Sequence, residues 1–168
     1  MLVVNIVVED VPELFEKILV PIDGSEHSSR ALDVAVQIAK EFHGKLALIH
    51  VYSVSVTPVI VPEPSAMTPS SAPFMTSVEI SKVAEAARDV GNRILSDGAS
   101  KAKAHEVEVE MLLKEGHTVQ EIIKTAKEGD FGLIVIGARG LSHIRVLLLG
   151  STTDGVIHHA SCPVLVVK

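Results

Sequence analysis

Cysteine, aromatic rings and basic charge are all scarce in this chain of 168 residues. Cys162 is its one cysteine, so no intrachain disulfide can form, which is what a reducing, cytoplasmic setting leads one to expect. Its place just before Pro163 and an apolar run reads as a small buried hydrophobe rather than a reactive thiol. Aromatics make up 3% of the residues, with no tryptophan and one tyrosine, so base-stacking platforms for single-stranded nucleic acid are not expected. Fifteen Lys and Arg against 21 Asp and Glu give a net charge of −6. That balance argues against the basic face a nucleic-acid surface needs, but not against a nucleotide, because local N–H groups and one cation outweigh a distant mean charge. Long hydrophobic runs are missing too. Met1–Val8 is apolar but too short to span a bilayer, and it has neither a basic flank nor a small-residue cleavage site. No membrane contact is expected. Residues 1–13 read as an N-terminal extension, either an extra strand, a loosely held tail or the product of an upstream start codon.

What is present is an alternation of strand and helix. Ile18-Leu19-Val20 lies in a strand over Phe15–Ile22, and Ser25 is placed to cap the helix that follows. Leu32, Ala35, Ile38, Ala39 and Phe42 recur at helical spacing, with Gly44 as the stop. Lys45–Tyr52 is a second strand. Residues 53–76 then hold Pro58, Pro62, Pro64, Pro69 and Pro73 with several serines, which excludes a regular element and reads as a mobile insertion. From Ser77 to about Ala104 the pattern is helical. Val83, Ala86, Ala87, Val90, Ile94 and Leu95 form its expected inward stripe, with Gly91 weakening it and Gly98 marking a frayed end. Val107, Val109, Met111 and Leu113 alternate as a strand, and Thr118 is the expected cap of a helix through Ala126. Leu133–Ile136 reads as a buried strand, about Thr152–Ala160 as a helix, and Val164–Val167 as the last strand. Alternating short apolar strands and helices predict one α/β domain over residues 14–168, a doubly wound parallel sheet with helices on both faces.

The sharpest feature is Gly137-Ala138-Arg139-Gly140, then nine residues, then Gly150-Ser151-Thr152-Thr153. It leaves a strand and enters a helix, an arrangement in which unblocked backbone N–H groups and a helix end can hold phosphate. Taken alone, each glycine reads as one that permits a tight turn, and Ser151 as a helix cap; capping and phosphate binding are compatible. Arg139 either pairs with phosphate or is solvated, and His143 reads as a surface or interface residue. Asp23 either forms a turn or meets ligand hydroxyls, an adenine amine or a metal. Both loops leave carboxyl ends of strands, where such sheets bind ligands. The eight histidines do not make a zinc site: His158 and His159 are adjacent, so they point apart, and no second cysteine is available.

With these residues in hand, the chain resembles the universal stress protein family and its nucleotide-binding branch. The resemblance runs from Phe15 to Lys168. It is carried by Ile18-Leu19-Val20-Pro21-Ile22-Asp23-Gly24-Ser25, His50-Val51, Glu115-Gly116, the glycine motif, and Cys162-Pro163-Val164-Leu165-Val166-Val167. It implies a five-stranded parallel sheet in the order 3-2-1-4-5. It further implies that Asp23 and the backbone of Val51 lie near adenine and ribose, Ile136 and Gly137 beside the ribose, and Gly140, Gly150, Ser151, Thr152 and Thr153 about the phosphates; Pro21 and Arg139 complete the candidate nucleotide-binding set. ATP is the implied ligand, with AMP or ADP as alternatives. Magnesium or manganese would accompany the triphosphate, held by its oxygens with Asp23 as the one protein candidate. The family also implies a homodimer through Val164–Lys168 and a nucleotide-dependent switch or sensor. A slow ATPase, or a scaffold with the fold and no ligand, is the alternative. Hydrolysis needs an oriented water, a base and charge stabilisation, and the chain carries no Walker A, HxGH or SGGxDS motif, so no catalytic residue is assigned.

Overall fold

Period-two alternation decides the architecture. On β1 (Lys17–Pro21), β2 (Lys45–Tyr52) and β4 (Leu133–Gly137), apolar residues face both sides of the sheet, so each side must be covered. In the computed structural model, which describes residues 11–54, 77–141 and 149–168, that is what happens. Ile18, Val20, Leu46, Leu48, Leu133 and Val135 pack on one side with α2 (Glu26–Phe42) and α3 (Ser77–Lys103). Leu19, Ala47, Ile49, Ile134 and Ile136 pack on the other with α4 (Thr118–Glu128) and α5 (Ser151–His159). With β3 (Val109–Glu115) and β5 (Val164–Val167) at the edges, the sheet is five-stranded, parallel throughout, in the order β3-β2-β1-β4-β5. The expected fold class and strand order are both found. Among the described residues no helix is long and apolar enough to cross a membrane.

Several local expectations are corrected. Phe15 and Glu16 do not open the first strand; they close a one-turn helix, α1 (Val11–Glu16). The Phe15 ring packs on Phe42 at 4.4 Å between centroids, and the backbone carbonyls of Phe15 and Leu14 cross over Gly44 and Gly132, where a Cβ would block them. The left-handed residue ending α2 is accordingly His43 (φ 55°), not Gly44. Ser25 does cap α2, its hydroxyl accepting from the Ser28 N–H. Thr118 and Ser151, by contrast, are first helical residues. His117 and Gly150 hold the cap positions, and neither gives a side-chain cap bond.

The largest correction concerns α3. Val83, Ala86 and Val90 are exposed, whereas Gly91, Leu95, Gly98, Ala99 and Ala102 are buried. The two glycines are not weak points of the helix but its contact line. A Cβ on Gly91 would stand 2.6 Å from Leu113 Cδ1, and one on Gly98 3.0 Å from both Ile22 Cδ1 and Leu48 Cδ1. The expectations for residues 1–10, the 55–76 part of the Pro/Ser-rich segment and His143 lie outside the described residues.

Candidate functional site

Because β1 lies between β2 and β4, the loops that leave β1 and β4 emerge side by side at the carboxyl end of the sheet. Asp23 ties them together. Its Oδ1 accepts from the Ser25 N–H at 2.9 Å and its Oδ2 from the Leu141 N–H at 3.1 Å, 118 residues away. The turn-forming role of Asp23 is thus present, and the same carboxylate also reaches the glycine loop.

A cleft opens beside it. Pro21, Asp23, Val51, Ile136, Gly137, Arg139, Gly140, Thr152 and Thr153 all line this one space. Gly150 lies just behind, its N–H bonded to the Ala138 carbonyl at 2.8 Å. Ser151 faces a neighbouring groove with Gly116, His117 and Thr118. Six further liners had no site role in the sequence: Ile22, Ser28, Ile49, His50, Thr118 and Ile122. Ser28 and Ile122 are buried residues on helix faces, indistinguishable in sequence from core. Thr118 carried a signal only as a helix start. His50 stood in the sequence beside Val51 with no role attached.

Strand alternation fixes what Val51 offers. The Ile49 carbonyl accepts from the Ile22 N–H, and the Tyr52 carbonyl from the Gly116 N–H on the opposite side. Peptide groups of alternate residues point the same way along a strand. The N–H and C=O of Val51 therefore point toward β1, past its last paired residue, Pro21, and into the cleft.

Two of the three motif glycines lack a side chain for different packing reasons, and none is needed for a left-handed backbone: no positive φ occurs at any of them. At Gly137 a Cβ would lie 2.7 Å from the His27 backbone carbonyl carbon, so its bareness admits the first turn of α2. At Gly140 it would lie 2.5 Å from Asp23 Oδ2. At Gly150 the nearest atom would be 3.4 Å away, an ordinary contact, so protein packing does not account for that glycine. Thr153 is 2% exposed and its hydroxyl donates to the Gly137 carbonyl at 2.8 Å, pinning α5 to β4. That hydroxyl is committed, but among the described residues the helix end is not. The first intrahelical bond runs from the Asp154 N–H to the Gly150 carbonyl at 2.9 Å, so the N–H groups of Ser151, Thr152 and Thr153 precede it and point out of the helix. Arg139 is half-buried and makes no ion pair among the described residues. No cluster of three or more His, Cys, Asp or Glu side chains suited to a metal occurs among them either. Burial raises the Cys162 thiol above its ordinary pKa, in line with a packing role.

Residues 14–168 match the model of the universal stress protein family. The chain belongs to the universal stress protein family. Universal stress protein YxiE of Bacillus subtilis is 35% identical over 158 residues, covering 92% of this chain and all (100%) of that one. Universal stress protein MJ0531 of Methanocaldococcus jannaschii is 32% identical over 166 residues, covering 99% and 89%. Among solved structures, UspA from Lactobacillus plantarum superposes with a TM-score of 0.75 over 92% of this chain and 98% of that one, at 23% identity. A universal stress protein in complex with cAMP aligns at 27% identity and a TM-score of 0.62, covering 91% and 96%. This universal stress protein shares with them the sheet whose carboxyl end carries the cleft.

Proposed function

We propose that this chain is an ATP-binding universal stress protein that works as a nucleotide-dependent switch or sensor in a cytoplasmic stress response. One observation carries the reading: a single cleft has at one end the Val51 peptide edge, beyond the last β1–β2 pair and without a backbone partner among the described residues, and at the other the N-terminus of α5. An adenine edge presents an acceptor, N1, beside a donor, the 6-amino group. The Val51 N–H and C=O match that pair as a neighbouring strand would. Pro21 and Ile136 flank the base and ribose. Phosphates then reach the N–H groups of Gly140, Ser151, Thr152 and Thr153, where the helix end adds partial positive charge. Arg139 is the cation at hand for the phosphate chain. The cleft encloses only about 90 Å³, against roughly 300 Å³ at the low end for small-molecule sites, so the phosphates lie at its open mouth. The relative solved with cAMP supports an adenine nucleotide as the ligand class.

Magnesium or manganese would neutralise the triphosphate and be held mainly by its oxygens. Asp23 already accepts two backbone N–H bonds, so it suits the role of organiser better than that of general base. A grip fits this site better than a reaction centre. The switch would act as a homodimer through the β5 edge, Val164–Lys168.

Thermal unfolding with and without Mg-ATP tests the reading. At one hundred times Kd, ligand adds about 2.7 kcal/mol, which for a chain of this size raises Tm by roughly 5–10 °C. No shift with ATP, ADP or AMP refutes nucleotide binding. Phosphate release on incubation, absent in a switch, would make it an ATPase.

A further inference from the structure

The β1–β2 ladder ends irregularly. In a parallel ladder, a residue that donates to one partner carbonyl returns its own carbonyl to the partner amide two positions on. The Ile22 N–H donates to the Ile49 carbonyl at 2.9 Å, so a regular continuation would give the Ile22 carbonyl to the Val51 N–H. It goes instead to the imidazole of His50, whose Nδ1 lies 2.8 Å away. A carbonyl only accepts, so Nδ1 carries the proton and donates. By strand alternation His50 lies on the same side of the sheet as Leu46 and Leu48, the side that α2 and α3 cover. The bond therefore turns the Ile22 carbonyl out of the ladder toward α3. Space for the ring depends on Gly91, where a Cβ would stand 2.7 Å from His50 Cδ2.

We infer that His50 is a positioning residue for base recognition: it draws the Ile22 carbonyl out of the β1–β2 ladder and so keeps the Val51 peptide edge open to the nucleobase. Without the imidazole, the carbonyl and the Val51 N–H are the nearest partners for each other, and the strand pair would zip one bond further into the cleft. Val51 would then lose the donor that adenine needs while the fold stayed whole. The role toward the base rests on the proposed nucleotide site, whereas the state of the Val51 amide does not.

Two measurements separate the parts. The first is amide hydrogen exchange at Val51, read by NMR on the ligand-free chain; the second is equilibrium binding of Mg-ATP. Wild-type Val51 exchanges fast. His50→Leu keeps bulk but removes the donor, so Val51 exchange slows by about tenfold or more as the ladder bond forms, and Mg-ATP affinity falls about tenfold. His50→Asn puts an amide N–H at the Nδ1 position and returns both values to within about threefold of wild type. A merely structural histidine predicts the opposite sign, since loosening the strand end would speed Val51 exchange in His50→Leu. Faster or unchanged exchange in that variant, or a protected Val51 in the wild type, overturns the inference. Should His50→Leu not fold, His50→Val, which also lacks the donor and suits a strand, carries the same two expectations and the same sign test. If exchange follows this pattern and the wild type does not bind Mg-ATP, the ladder device stands and its role toward a base falls.

Discussion

Gly140 and Asp23 are best understood as one unit. The glycine motif stands out in the sequence as a candidate phosphate loop, yet the reason for its second glycine does not, because the atom it makes room for sits 117 residues earlier. A side chain at Gly140 collides first with Asp23 Oδ2, the oxygen that holds the Leu141 N–H. Gly140→Val is expected to push the carboxylate off the loop and reduce Mg-ATP affinity by more than tenfold, about 1.4 kcal/mol or more, with ligand-free Tm close to wild type because the position is exposed. Calorimetric titration and a melting curve check it; unchanged affinity would place the phosphates elsewhere. From sequence alone, Asp23 is either a turn residue or a ligand group. Its position decides for two backbone bonds, and this came from pairing two loops that only the strand order brings together.

At the level of elements, α3 shows where periodicity stops being informative. Val83 and Val90 fall on an apolar stripe and look inward-facing, while Gly91 and Gly98 look like defects. Helix propensity does penalise glycine by about 1 kcal/mol relative to alanine. Tertiary packing overrides this, since the helix lies so close to β2 and β3 that only a bare Cα fits against Leu48, His50 and Leu113. The rotational setting of α3 therefore yields a clear contrast. Gly98→Leu should destabilise the chain by about 1–3 kcal/mol through overpacking, although the helix itself gains propensity. Val90→Ala, at 53% exposure, should stay within about 0.5 kcal/mol. Urea unfolding of both variants measures the difference; the reverse ranking would mean that α3 is rotated. The starts of α4 and α5 were each read one residue away from their true caps. Ser, Thr and Gly all suit a cap, and only the first helical hydrogen bond, Glu121 to His117 or Asp154 to Gly150, tells them apart.

For the whole molecule, an open sheet leaves two edges, β3 and β5, and exposed edges need covering. The Ile134 and Ala138 N–H groups donate to the Pro163 and Val167 carbonyls, so the backbone of Val166 points to the open side of β5. Val166→Pro removes an outward donor and spares the inward ladder. If the chain pairs with its copy through β5, this variant should sediment as a folded monomer where the wild type sediments as a dimer; a dimeric variant would move the interface elsewhere. By itself, the sequence determined the class of fold and the number of strands, and it singled out the glycine loop as the candidate site. Apolar period, glycine spacing and chain order are local properties, and they constrain local structure directly. Only the tertiary structure decided which atoms face the cleft: that α3 rests on its glycines, that Asp23 bridges two loops, and that His50 interrupts a ladder beside Val51. Those outcomes depend on distances between residues far apart in the chain, set when helices settle on the sheet to fill its two faces, and no spacing within one segment encodes them.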